Sequence, residues 1–491
     1  MVFRFILKLI CVLSFTCLIT CKNQNSINTV QKPNILLLYM DDLRPELGSY
    51  GLVQIKSPNI DALASKGVQF NNAYCNVPVC GASRASMLTG MLPTKNRFLN
   101  YNTFVEQETP NAVTLPQLFK INGYKTISNG KIYHHLDDRE SDWDELWRPY
   151  AFDENDKNLA PIDYWQSLWK DYQNPENMME YKATNTGPAF ESANVADSIY
   201  IDGLVTQKVI RDLKKLKNTN QPFFLTAGFI SPHLPFNAPK KYWDLYDRNS
   251  IKQPENFNYI PKDAPKMSIS TWPEMRAYSN IPKKGQVSDS LAVTLIHGYY
   301  ATVSYVDALI GSILDELKAQ DLDKNTIVVL VSDHGYNLQE HTQWAKFTNY
   351  NTSTQVPLII YNPLQHKKGH TNALVELVDI YPTLAELCEL EHPKNQLDGT
   401  SLVSVFNDLS SEGKPHVFIK KGNGFTLKTK DFSYTEFIKA EDNATITSML
   451  YDHRTDKSEN ENVVNHPDYK NVVSQLKNTL HTAYKQQIEG E

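Results

Sequence analysis

Apolar residues along the chain gather into short unbroken runs. Asn34 to Met40 reads NILLLYM, and FFLTAGF (Phe223 to Phe229), TIVVLVS (Thr326 to Ser332) and VPLIIY (Val356 to Tyr361) have the same form. A run of this length without alternating polar positions predicts a strand covered on both faces. Between the runs the period changes. TLPQLFKINGY from Thr114 and SYVDALIGSILDELKAQ from Ser304 to Gln320 carry apolar residues at helical spacing. Buried strands alternating with amphipathic helices predict an α/β fold, a large mostly parallel sheet between helices. Ligands of such sheets bind beyond the carboxyl ends of the strands.

Other stretches break this alternation. From His135 to Val195 the chain is rich in Trp, Tyr, Asp and Asn, and from Asn249 to Ser288 it is irregular again. Both predict long loops of the kind that form lids and binding surfaces. Beyond about Gly413 the pattern changes once more: HVFIKKGNGFTLKTKDFSYTEFI predicts strands joined by a Gly-Asn-Gly turn, and NVVSQLKNTLHTAYKQQI a closing helix. The expected organisation is a main domain over residues 30–412 and a smaller antiparallel C-terminal subdomain over 413–491.

The first twenty residues carry Arg4 and Lys8 and then an apolar run too short to span a bilayer comfortably, which predicts a signal peptide over 1–20 and export. The run ends Leu18-Ile19-Thr20-Cys21, which resembles a bacterial lipobox. The expectation is a periplasmic or outer-membrane lipoprotein attached through a lipid on Cys21, with simple secretion as the alternative. Of six cysteines, Cys11 and Cys17 then leave with the signal and Cys21 is the anchor. Cys75, Cys80 and Cys388 remain, an odd number that leaves at least one thiol unpaired. Composition adds one exclusion: the net charge of -6 comes with no basic block, so nucleic acid is not an expected partner.

Polar residues follow the predicted strands where a site belongs. Asp41 and Asp42 follow the first run, Ser231-Pro232-His233 the second and Asp333-His334 the third. Three carboxylates brought together are unfavourable unless a cation neutralises them, so a divalent metal is expected. The carboxylates favour Ca²⁺ or Mg²⁺, whereas His334 argues toward a transition metal. Arg84, Lys131, His134, His233 and Lys346 could surround a tetrahedral oxyanion opposite that metal, which predicts a sulfate or phosphate ester as substrate. Trp143, Trp147 and Trp165 are candidates for stacking on sugar faces or for plain core packing.

The stretch Cys80-Gly81-Ala82-Ser83-Arg84, continuing ASMLTG, resembles the signature of the type I, formylglycine-dependent sulfatases. Further matches are PNILLLYMDDLRPELGSYG, GKIYH, SPHLPFNAPKKY, YYATVSYVDALIG, SDHGYNLQEHTQWAKFTNYNTSTQVPLIIY, LVELVDIYPTLAEL, LDGTSL and LYDHRTDKSEN. Asp-His at 333 and 334, where Asp-Asn is the alternative, resembles the iduronate-2-sulfatase-like members. The chain departs from the common signature at Ala82, where proline is usual, and this bears on which maturation enzyme accepts it.

The resemblance implies an alkaline-phosphatase-like fold and an exo-acting carbohydrate sulfatase. It implies that Cys80 is oxidised during export to 3-oxoalanine (formylglycine) by a formylglycine-generating maturation enzyme, which recognises a signature that includes Ser83. One Ca²⁺ would be held by Asp41, Asp42, residue 80, Asp333 and His334. Arg84 would stabilise the modified residue, and His134, supported by Lys131, would act as base in sulfate release. His233 and Lys346 would hold the sulfate and protonate the leaving sugar oxygen. A sulfated oligosaccharide is the expected substrate, for example in the breakdown of an algal polysaccharide such as ulvan. The alternatives are a phosphodiester or phosphonate hydrolase of the same superfamily and a non-catalytic glycan-binding lipoprotein.

Overall fold

The computed structural model describes residues 32–135, 137–149, 171–365 and 367–490. Its large sheet has eight strands: β1 (Asn34–Met40), β2 (Val68–Tyr74), β3 (Lys125–Gly130), β4 (Glu145–Trp147), β5 (Phe223–Gly228), β6 (Thr326–Ser332), β7 (Gln355–Tyr361) and β8 (Gly369–Glu376). The first of them shows why the apolar runs become strands. Leu36, Leu38 and Met40 enter one core, while Ile35, Leu37 and Tyr39 enter the other. Successive side chains point to opposite faces and both faces are covered, so apolar residues fill every position between Asn34 and Asp41.

The helices Ile201–Leu216 and Asp289–Ala319 pack on the first core through residues such as Val205, Val209, Leu295 and Tyr299. Cys80–Thr89, Leu115–Ile121 and Ile380–Leu387 cover the second through Ala85, Leu88, Leu118 and Leu384. The strand order is β8-β2-β7-β6-β1-β5-β3-β4. Every neighbouring pair is parallel except those of β7, which runs antiparallel to both β6 and β2. The reason is local: the chain leaves β6 at its carboxyl end, stays there through residues 333–354, and enters β7 without a crossover helix. The carboxyl ends of β2, β6, β1, β5 and β3 therefore share one edge, as the α/β reading requires.

A second sheet, β9 (Val417–Lys421), β10 (Gly424–Lys428), β11 (Phe432–Ile438) and β12 (Thr445–Asp452), is a four-stranded antiparallel meander. The predicted turn joins its first two strands at Gly422 and Asn423. The helix Lys470–Ala483 packs on this sheet through Leu476 and Leu480. Tyr484 then separates it from a shorter helix, Lys485–Glu489, where the sequence suggested one continuous element.

Other boundaries also differ from the sequence reading. The helix ending at Ala319 begins at Asp289, with Ser288 accepting the Leu291 N–H as its cap. Its middle is hidden from periodicity because Leu295 to Asp307 are all buried, which leaves no polar stripe there. Helix Pro175–Thr184 lies inside a predicted loop, and none of its residues is buried. A helix without a core-facing stripe leaves no apolar period to read. Among the described residues no helix is long and apolar enough to cross a membrane; residues 1–31, with the predicted signal and Cys21, lie outside them.

The ends of β3 and β5 meet at two glycines that set the height of Lys131. A Cβ on Gly228 would collide with the Lys131 carbonyl oxygen and lie 2.7 Å from its backbone nitrogen. Backbone atoms paired in a sheet cannot yield as a flexible side chain can. Gly228→Ala is expected to destabilise the fold by about 1–3 kcal/mol and to lower turnover by displacing Lys131; thermal melting and an activity assay of the same preparation check both.

Candidate active site

Adjacent parallel strands deliver the polar residues. Asp41 and Asp42 follow β1, Asp333 and His334 follow β6, Lys131 follows β3, and His233 stands five residues beyond β5. Cys80 opens the helix after β2, and Lys346 lies in the loop between β6 and β7. Residues as far apart as Asp42 and Lys346, 304 positions along the chain, thus meet at one sheet edge.

At the centre, the Cys80 thiol donates to Asp41 Oδ1 at 3.3 Å and lies 3.2 Å from His334 Nε2. Ligand atoms of Asp41, Asp42, Cys80 and His334 all fall within 4.8 Å of one another, and all four residues are buried. His334 Nδ1 is 2.9 Å from the Gly335 carbonyl oxygen, which can only accept. Nδ1 therefore carries the proton, and Nε2 turns a lone pair toward the cluster. Asp42 Oδ1 accepts no well-aligned hydrogen bond, although Lys346 Nζ and His334 Nδ1 face it at 3.1 and 3.3 Å. Two buried carboxylates and an imidazole lone pair at this spacing suit a divalent cation.

The electrostatics point the same way. Burial works to raise both aspartates, but Lys131, His233 and Arg84 outweigh it at Asp41 and hold that carboxyl well below the usual range. At Asp42 burial, reinforced by the Asp41 charge, wins over Lys346 and pushes the carboxyl up. Like charges this close resist joint ionisation, which a cation would relieve. Burial, with Asp41 adding to it, also drives the Cys80 thiol well above its ordinary value. A nucleophilic cysteine needs the opposite shift. The side chain as encoded is thus a poor nucleophile.

Arg84 braces this group from below. It is fully buried, donates from Nε to Asp333 Oδ2 at 2.8 Å and from Nη1 to the Lys131 and Ile132 carbonyls at 2.5 and 3.2 Å, and reaches the Met40 carbonyl at 3.3 Å. Asp333 Oδ1 accepts the backbone N–H groups of Asp42 and His334. Asp333 stands beside the four ligand candidates with its oxygens engaged in this way. Ser83 Oγ donates to the Asp333 carbonyl at 2.5 Å. Lys131 pairs with Asp41 Oδ2. No side chain caps the Cys80–Thr89 helix, so its positive end faces the cluster.

Around Asp42, Lys346 Nζ lies 3.1 Å from the carboxylate and His233 Nε2 lies 3.8 Å from it, both side chains being buried. The His233 loop is fixed by Asp202, whose carboxylate accepts the N–H groups of Ile230 and Ser231 at 2.8 Å each. Both ring nitrogens of His233 face acceptors, Leu234 O at 2.5 Å and Glu274 Oε1 at 2.9 Å. Burial and Lys346 push its pKa down, yet Asp42 and Glu274 prevail and raise it. His134, on the Lys131 loop, has its ring 6.2 Å from that of Tyr101. Burial, Lys131 and His135 hold it well below the ordinary imidazole value, so it is neutral.

Glu274 is the residue the sequence reading missed. Its Oε1 accepts from both His233 and Lys346 at 2.9 Å. An acidic residue in an irregular stretch reads as solvated surface, and only the neighbouring Trp272-Pro273 hints at an anchored loop.

The sulfatase family pattern matches residues 33–390, which is most of the chain. This chain belongs to the sulfatase family. It is a sulfuric ester hydrolase with the alkaline-phosphatase-like fold. A second pattern, the C-terminal region of N-sulphoglucosamine sulphohydrolase, spans residues 339–486 and takes in the antiparallel sheet. Human iduronate 2-sulfatase is 32% identical over 443 residues, covering 82% of this sulfatase and 76% of the human protein. An ulvan-active sulfatase of Formosa agariphila is 28% identical over 488 residues, covering 95% of this chain and 84% of that one. Among solved structures, one described as a complex with its substrate D-glucosamine-2-N,6-O-disulfate superposes with a TM-score of 0.72 at 21% identity, covering 93% of this chain and 98% of the other. A phosphonate monoester hydrolase from Silicibacter pomeroyi gives the same TM-score at 22% identity, covering 93% and 96%. At such identities the likeness speaks for the fold alone.

Proposed function

We propose that this sulfatase is exported and releases sulfate from an ester on a pyranose ring of a glycan, by way of the aldehyde formed at Cys80. The observation that carries this reading is the convergence of Asp41, Asp42 and His334 on Cys80, with Arg84 and Lys131 paired to Asp41, around a thiol that burial makes a poor nucleophile. The N-terminal apolar run and Cys21 support export with a lipid anchor, and the named relatives support a sulfated carbohydrate, ulvan among the candidates.

Asp41, Asp42 and His334 with residue 80, and Asp333 beside them, would hold one divalent cation, for which the carboxylate oxygens favour Ca²⁺. Bound there, it would supply positive charge against the ester oxygens. The hydrated aldehyde would supply two hydroxyls on one carbon, one to attack sulfur and one to drive sulfate out. Around it, Lys131 and Arg84 hold Asp41 ionised, and Arg84 fixes Asp333 in place. Neutral His134, three residues after Lys131, is the base that takes up a proton on sulfate release. His233 and Lys346 hold the sulfate and supply the proton that the leaving sugar oxygen needs. General acid catalysis of this kind contributes about 10²- to 10⁴-fold.

The test is sulfate release from defined oligosaccharides sulfated on uronate, rhamnose, xylose or galactose, with protein coexpressed with a formylglycine-generating enzyme. Release from at least one sugar, lost on chelation and restored by Ca²⁺, is the expected result. Faster turnover of phosphate or phosphonate esters would move the assignment to that branch of the fold. Binding without release, with the aldehyde confirmed by mass spectrometry, would leave only a glycan-binding role.

A further inference from the structure

Of the tryptophans first considered for sugar stacking, Trp143 is buried in the core beside Tyr133 and Phe224, and Trp147 packs half-buried against the other core. Trp165 lies outside the described residues. Among the described residues, the exposed tryptophan near the site is a different one. Trp272 is 42% exposed, and its ring lies 5.6 Å from that of Tyr101 and 4.5 Å from that of Phe347.

These rings come from separate segments, and each is tied to the reaction centre. Tyr101 lies against the first turn of the Cys80 helix, so closely that a Cβ on Gly81 would collide with its carbonyl oxygen. Its ring faces His134. Trp272 stands two residues before Glu274, which binds both His233 and Lys346. Phe347 follows Lys346 directly, at a φ of 71° that bulky residues avoid. An apolar patch left open to water beside charged groups marks a ligand surface.

We infer that Tyr101, Trp272 and Phe347 form the subsite for the pyranose ring that carries the ester. The C–H face of the sugar lies against the aromatic rings, and its sulfate reaches toward Lys346 and the Cys80 cluster. A sugar ring matches such a wall because it offers one apolar face together with a hydroxyl rim. This inference rests on the carbohydrate reading proposed above.

The experiment uses the matured full-length enzyme and compares wild type with Trp272→Ala and Trp272→Phe. It measures kcat and KM on the best sugar of the panel, and inhibition by inorganic sulfate, which needs only the anion site. Trp272→Ala is expected to raise KM about tenfold, the equivalent of one lost aromatic contact. Trp272→Phe should recover most of that loss, and inhibition by sulfate should stay at the wild-type level. An unchanged KM in Trp272→Ala would overturn the subsite while leaving the carbohydrate reading standing. A parallel weakening of sulfate inhibition would overturn it too, since the substitution would then be acting through Glu274. A wild type that releases sulfate from no sugar would overturn both.

Discussion

Cys80→Ala abolishes sulfate release, with a loss of about 10⁴-fold or more expected for removal of a nucleophile. The side chain sits at the meeting point of Asp41 and His334, and the charges around it are arranged for an anion and a cation rather than for a thiolate. Protein produced without the maturation enzyme should be equally inactive although folded, because burial keeps the unmodified thiol protonated. Sulfate release by Cys80→Ala, measured beside its thermal melt, would show that attack does not pass through residue 80.

Arg84→Ala has the largest expected effect on stability. The guanidinium is fully buried and serves Asp333, Asp41 and the carbonyls of Met40, Lys131 and Ile132 together. Removing it leaves the buried Asp333 carboxylate without its close ion-pair partner, a change that costs about 3–5 kcal/mol. Arg84→Lys should rescue little, because one ammonium cannot reproduce a planar fork reaching several acceptors. Denaturant titration of the three proteins checks this, and a near wild-type midpoint for Arg84→Lys would show that charge alone suffices.

The strands of the large sheet were legible because burial on both faces permits only one kind of residue over a whole strand, as in β1 and β6. The loops between them were less so. Helix Pro175–Thr184 has no core-facing stripe, and the middle of Asp289–Ala319, from Leu295 to Asp307, is buried all round, so neither presents a clean amphipathic period. The candidate residues Asp41, Asp42, Asp333, His334 and His233 stood out because they follow apolar runs. Glu274 did not, since nothing beside it in the chain says that it reaches inward.

The sequence by itself determined the alternation of buried strands and helices, the polar residues at the strand ends, and the Cys80–Arg84 motif. These are local facts, written in period and spacing. The tertiary structure decided which strand ends are neighbours, and so which charges face one another. It turned Asp41 toward Lys131, tied Asp333 to Arg84, brought Glu274 to His233 and Lys346, and gathered Tyr101, Trp272 and Phe347 beside them. Electrostatic and aromatic contacts depend on distance in space, and spacing along the chain does not encode it.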